Sequence, residues 1–239
     1  MKKTLFYLIF AIALCFGHYT NVSAEQSEKD PFGADFMNGV AFFGESTTVH
    51  LRQRSSVPAD RVWADRSGTA RLDSNLAYHP LTDTKSGRSM APIELAQRDQ
   101  PSYLVLSFGL NGIMDFSADP GQYLKKYQKL MDLLSDASPD THFLIQSIYP
   151  VAQKDLQADW RFSVSPQEIN EKIDLLNHHL EEYSGTLSNA DFIDTSCKLK
   201  DANGFLRQDL TTDGIHLNEM AYDLILSSIA EHLGVPYEV

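Results

Sequence analysis

Three short polar clusters in the chain hold side chains suited to acyl transfer: Gly44-Glu45-Ser46, Gly109-Leu110-Asn111-Gly112 and Asp213-Gly214-Ile215-His216. A serine hydroxyl is a poor nucleophile until a neighbouring base takes its proton. Asp213, three residues before His216 in a glycine-containing turn, is spaced to accept a hydrogen bond from the imidazole Nδ1–H. That bond leaves Nε2 free to deprotonate a serine and stabilises the imidazolium that results. Asn111 offers a neutral amide that can donate to an oxyanion without quenching the base. Taken singly, each has a plainer explanation: Ser46 as a helix N-cap, His216 as a surface or capping residue, Asn111 as a turn residue. Taken together, they point to Ser46 as nucleophile, His216 as base and Asp213 as the acid that orients it.

For these clusters to meet, the elements before them must bring them to one edge. Val40-Ala41-Phe42-Phe43 reads as a buried strand ended by Gly44, with a helix over Thr47 to Arg54 after it. In that setting the Ser46 N–H lies at a helix start, where the dipole favours developing negative charge. Further strands are expected at Val62-Trp63, Tyr103 to Phe108, His142 to Ile148 and Asp191 to Asp194, with a long polar stretch from Ala64 to Ala91. Asp119-Pro120 opens an amphipathic helix carrying Leu124, Tyr127, Leu130, Met131 and Leu134. Ser165-Pro166-Gln167-Glu168 is a capping-box sequence before Ile169, Ile173, Leu176 and Leu180. The last helix runs from about Asn218 to Leu233, with Gly234 and Pro236 as its stop. Strands alternating with helices predict a mostly parallel five-stranded sheet with helices on both faces, a three-layer α/β/α domain. Ligands of such sheets gather at the carboxyl ends of the strands, where all three clusters fall.

Residues 1–24 have the form of a secretory signal peptide: Lys2 and Lys3, an apolar run from Leu5 to Phe16, and small residues in Val22-Ser23-Ala24. The run falls short of the roughly 20 residues of a membrane span, and Leu14 is too bulky to precede a lipidated Cys15. Cleavage after Ala24 is expected, giving a secreted or periplasmic protein with no stable membrane insertion. Residues 25–37 read as a polar leader arm and 38–239 as a single domain, without repeats or a linker. Without Lys2 and Lys3 the 20 basic residues fall to 18, against 32 acidic ones, for a formal charge of −14. Nucleic acid and anionic membrane surfaces would repel such a chain. Cys197 is then the sole cysteine, which excludes an intramolecular disulfide and a multi-cysteine zinc site.

The three clusters, in this order and over about Val40 to Leu233, resemble the blocks of the SGNH (GDSL-type) hydrolases. Gly44-Glu45-Ser46 is similar to that family's Gly-Asp-Ser block, Gly109-Leu110-Asn111-Gly112 to its Gly-x-Asn-Asp block, and Asp213-Gly214-Ile215-His216 to its Asp-x-x-His block. The resemblance implies a flavodoxin-like fold and metal-independent, cofactor-free ester hydrolysis through an acyl-enzyme, with Ser46, Asp213 and His216 as the triad. It implies an oxyanion hole made of the Ser46 N–H, a glycine N–H and the Asn111 side chain. Gly68, soon after the strand at Val62-Trp63, is preferred for that glycine over Gly87. Two positions depart from the pattern, Glu45 for the usual aspartate and Gly112 for the usual acid, and altered loop support is expected from both.

Export favours a small ester or an acetylated glycan as substrate. The alternatives are a lysophospholipase or thioesterase using the same site, and a carbohydrate-binding relative that has lost catalysis. Other residues are set aside. His178 and Glu182, one helical turn apart, are assigned to a solvated face rather than to a metal. His50, four residues beyond Ser46, could face the site but is assigned to the helix surface; His79 is assigned to a substrate entrance at most; Trp160 and Phe162 could contact substrate but are assigned to pinning the segment between Tyr149 and Ser165. Ser46 is not in a Gly-x-Ser-x-Gly elbow, and no Walker-type or dinucleotide-binding loop is present.

Overall fold

The computed structural model describes residues 39–154, 156 and 162–237. The segments expected to be a signal peptide and a leader arm, and Trp160, lie outside the described residues.

Five strands make one sheet: β1 (Val40–Gly44), β2 (Val62–Trp63), β5 (Tyr103–Ser107), β6 (His142–Gln146) and β7 (Ala190–Ile193). Their order is β2-β1-β5-β6-β7 and every neighbouring pair is parallel, so β1, with Ser46 just beyond its end, sits between two partners. Alternation along the strands divides the core in two. Ala41, Phe43, Leu104, Leu106, Phe143 and Ile145 face one side, where α2 (Pro92–Asp99), α3 (Ile113–Ala118), α4 (Pro120–Ala137) and α5 (Pro166–Ser184) cover them. Val40, Phe42, Val105 and Leu144 face the other, under α1 (Ser46–Arg54) and α6 (Glu219–His232). Strands buried on both faces read as continuous apolar runs, as β1, β5 and β6 do. The result is the expected α/β/α sandwich.

Helix starts follow local chemistry. Asp119 accepts from the Gln122 N–H at 3.0 Å, Ser165 from Glu168 at 3.2 Å and Asn218 from Ala221 at 3.1 Å, each satisfying an N–H that has no intrahelical acceptor.

Two stretches differ from the sequence expectation. The segment after β2 is more ordered than its polarity suggests. Leu72, Leu76 and Leu81 are buried in the core, and β3 (Leu81–Thr82) pairs antiparallel with β4 (Ser89–Met90). Two-residue strands are too short to show a period, and only the spaced leucines hint at them. The strand expected to run to Ile148 ends at Gln146. The Ser147 N–H still reaches Ile193 O at 3.0 Å, and from Ile148 on the backbone bonds to side chains of α5: Asn177 brackets Ile148 with bonds of 2.7 and 3.1 Å, and Asn170 brackets Val151 with bonds of 2.8 and 3.0 Å. These amides take the place of a neighbouring strand and fix the chain where it passes below the His216 turn, to which the Ala152 N–H donates through Gly214 O at 2.9 Å.

Candidate active site

Ser46 is the first residue of α1, and the capping position falls on Glu45. At that first position the Ser46 N–H has no intrahelical acceptor and remains available to a ligand. Glu45 does not cap; its side chain turns inward, where it is buried. There its two carboxylate oxygens accept the N–H groups of Leu110 at 2.9 Å and Asn111 at 3.1 Å. Burial drives the Glu45 pKa up to about 7, against the opposing pull of the backbone N–H groups of Asn111, Leu110 and Gly109. The residue that departs from the family pattern thus ties the Ser46 cluster to the Asn111 cluster.

Asn111 in turn holds the loop after β2. Its Nδ2 donates to Gly68 O at 3.1 Å and to Ala70 O at 2.8 Å. Gly68 has φ of +68°, and a Cβ there would lie 3.0 Å from the Ser46 Cβ, so both backbone and contact favour glycine. Gly87 belongs to the turn between β3 and β4, where an added Cβ would meet nothing within 4 Å. Of the two glycines, Gly68 is the one beside Ser46. Its N–H closes a turn onto Asp65 O at 3.0 Å.

Gly112 also has positive φ, +111°, and a Cβ there would lie 2.4 Å from Arg71 Nε. The Arg71 guanidinium fills the space, paired with Asp115 at 2.5 Å and lying 4.9 Å from the Phe116 ring centroid. The space beside Gly112, where the second block would carry an acid, is thus taken by an arginine from another loop.

The Asp213–His216 turn is built almost wholly from its own atoms. Asp213 Oδ1 accepts the N–H groups of Ile215 at 3.0 Å and His216 at 2.7 Å, while Oδ2 meets His216 Nδ1 at 2.7 Å. Thr211 Oγ1 donates to His216 O at 2.8 Å and accepts from the Gly214 N–H at 2.9 Å. Partial burial works to raise the Asp213 pKa, but the bonds from the His216 ring and from the two N–H groups outweigh it and hold the carboxyl below its usual range. The acid stays ionised against the imidazole, as an orienting carboxylate must.

Helix α1 clamps this turn at three levels. Tyr222, just past the turn, donates its hydroxyl to Thr47 O at 2.7 Å; His50 packs its ring on His216, with centroids 4.4 Å apart and planes at 71°; Arg54 donates to Leu217 O. His50 therefore faces the site and not solvent, which corrects the surface assignment. Its spacing of four from Ser46 placed both on one helical face. Burial first, and then the charges of His216 and Arg54, push its pKa down to about 4 against the weaker effect of Asp213, so the ring is neutral at neutral pH.

Ser46, His50, Gly68, Asn111 and His216 line one cavity of about 550 Å³. Phe162 also reaches it, whereas His79 faces a neighbouring cavity beside Asp73 and Arg71. His178 and Glu182 form an exposed pair at 3.4 Å on α5. Arg66, Gln53 and Thr69 line the main cavity as well. Nothing local in the sequence marked them, since their place depends on how the loop after β2 folds over α1.

The profile of the family described as GDSL-like lipase/acylhydrolase matches residues 42–224. The chain belongs to that family. No curated protein matches the sequence. Among solved structures it is similar to a Streptococcus pneumonia protein provisionally described as a platelet activating factor, at 19% identity and a TM-score of 0.61, over 82% of this chain and 83% of the other. A protein of Slackia heliotrinireducens provisionally described as an SGNH hydrolase has 19% identity and a TM-score of 0.55 over 82% and 98%. A carbohydrate esterase family 3 structure from Talaromyces cellulolyticus has 14% identity and a TM-score of 0.51 over 81% and 95%. At these identities the likeness is one of fold. Among the described residues no helix is long and apolar enough to cross a membrane.

Proposed function

We propose that this chain is a carboxylic ester hydrolase working through an acyl-enzyme on Ser46. One observation carries the reading: Ser46, Gly68 and Asn111 share a cavity with a histidine whose Nδ1 is already held by a carboxylate. In acylation the Ser46 Oγ attacks the ester carbonyl carbon and its proton passes to His216 Nε2. The bond from carbonyl carbon to alcohol oxygen then breaks, and the alcohol leaves with that proton. In deacylation a water attacks the acyl carbon, gives its proton to His216, and the acid leaves as Ser46 regains its hydrogen.

The Ser46 N–H is ready to receive the oxyanion. Gly68 and Asn111 are placed beside it with their hydrogens engaged, by Asp65 O and by the carbonyls of Gly68 and Ala70. Their donation to the oxyanion requires those bonds to be shared or released as the tetrahedral intermediate forms, the tightening expected between a free and a loaded site. A small ester, such as an acetylated glycan, suits the cavity size, and the similarity in fold to a carbohydrate esterase is in keeping with it. The basic segment, apolar run and small residues of the first 24 positions support export, with the domain beginning near residue 38.

A fluorophosphonate probe tests the mechanism. Covalent labelling of the wild type and none of Ser46→Ala is expected; a folded wild type that takes no label overturns it.

A further inference from the structure

Acidic residues outnumber basic ones by 32 to 20 overall, yet among the described residues the charged side chain that lines the cavity over Ser46 is a cation, Arg66, with no carboxylate beside it in the lining. The acids closest to it are already engaged, Asp213 with His216 and Glu45 with the loop at Leu110 and Asn111. Asp65, next to Arg66 in sequence, turns its carboxylate to Ser67 Oγ and lines the neighbouring cavity.

Other arginines are held in place. Arg71 pairs with Asp115, Arg98 with Asp83 and Asp99, Arg207 with Asp209, and Arg52 and Arg54 donate to backbone carbonyls. Arg66 is exposed, stands at the cavity wall, and has no carboxylate partner among the described residues. It lies in the turn that ends at Gly68, two residues from the glycine that touches Ser46. Further positive charge lies nearby. Arg52 is near enough for the charge of Arg66 to lower its pKa, after burial. On the far side, the Lys154 ammonium meets Asp213 O at 3.3 Å. Apolar side chains of Val49, Leu110 and Ile215 fill the wall between.

We propose that the substrate is an anionic ester, one bearing a carboxylate away from the scissile bond, and that Arg66 binds that carboxylate. The proposal rests on the esterase reading above. A guanidinium offers two parallel N–H donors that match the two oxygens of a carboxylate. An arginine open to water on one side gives a modest preference, about tenfold in kcat/KM over a neutral twin. The class includes O-acylated hydroxy acids and sugar acids, with the charge on the alcohol, and half-esters of dicarboxylic acids, with the charge on the acyl group.

Two matched pairs of esters decide the matter: 3-acetoxybenzoate with 3-acetoxybenzamide, for charge on the alcohol, and 4-nitrophenyl hemisuccinate with 4-nitrophenyl butyrate, for charge on the acyl group. In the wild type one pair is expected to show the roughly tenfold preference for the anion, reduced by added salt. Arg66→Gln should bring that ratio close to one and Arg66→Glu should invert it, with Arg66→Lys in between. Neutral esters cleaved with no preference in either pair, or a preference that survives Arg66→Gln, overturn the proposal and leave the esterase standing. Cleavage of none of the four esters by the wild type overturns both.

Discussion

The turn from Thr211 to Leu217 and the loop from Asp65 to Arg71 both border the Ser46 cavity and are held in different ways. In the first, Asp213 and Thr211 bond to atoms no more than five residues away, and the imidazole is aligned before any substrate arrives. In the second, the bonds come from Asn111 and Asp115, more than forty residues along the chain, and the donors expected for the oxyanion are occupied by the loop itself. In the proposed mechanism, proton transfer would depend on a part that is preformed, and oxyanion stabilisation on one that has bonds to exchange. Glu45 links the strand that leads to Ser46 to the loop that carries Asn111.

Substitutions on the two sides should separate these roles. Asp213→Asn keeps an oxygen for the N–H groups of Ile215 and His216 but no longer fixes the tautomer of the ring. A fall in kcat of about 10⁴ is expected, with amide exchange across 211–217 close to wild type; a fall below tenfold would break the comparison. Asn111→Ala removes the two bonds to the carbonyls of Gly68 and Ala70. The rate should drop by about 10²–10³, now with faster amide exchange at 68–71 and none added at 211–217. Equal loosening of both segments would show that they are one unit.

Glu45 sharpens the contrast through pH. In the folded chain this carboxyl keeps its proton up to about pH 7, whereas a free glutamate titrates at 4.5. Between those values the folded state binds more protons than the unfolded one, so this contribution is complete below about pH 4.5 and is lost as pH rises through about 7. The loss is about 3 kcal/mol. Denaturant midpoints measured from pH 4.5 to 8 should therefore fall more steeply in wild type than in Glu45→Gln, and parallel curves would place the proton elsewhere. The smallest effect belongs to His50. Truncation to Ala removes an aromatic contact worth about 0.5–1.5 kcal/mol, and kcat should fall by about 2- to 12-fold. His50→Phe, which keeps a ring against His216, should recover most of that loss; failure of Phe to rescue would point to the nitrogen atoms instead.

What was legible in the sequence follows the same division. Asp213 and His216 are three apart and make their contacts within the turn, so their spacing alone disclosed the geometry. Strands β1, β5 and β6 announced themselves as short apolar runs, and Asp119, Ser165 and Asn218 marked their helices by capping. The loop after β2 gave much less away. Gly68 could be preferred over Gly87 only by its nearness to a strand, because its contact is with Ser46, twenty-two residues earlier. His50 carried a usable signal in its helical spacing from Ser46, yet its partner is a histidine more than 160 residues away. Arg66 carried none, since nothing in its neighbours tells which arginines will lack a carboxylate.

Gly112 and Arg71 share one space beside the Asn111 loop. Restoring the family's aspartate at 112 alone would ask a side chain to adopt φ of +111° and to share space with a guanidinium 2.4 Å from its Cβ. Shortening Arg71 first would open that space and would also leave Asp115 without its partner. Because the guanidinium is the far end of a partly exposed side chain and can swing aside, the backbone at 112 is the stiffer obstacle to an aspartate there, and the cost of moving Arg71 is the loss of its pairing with Asp115.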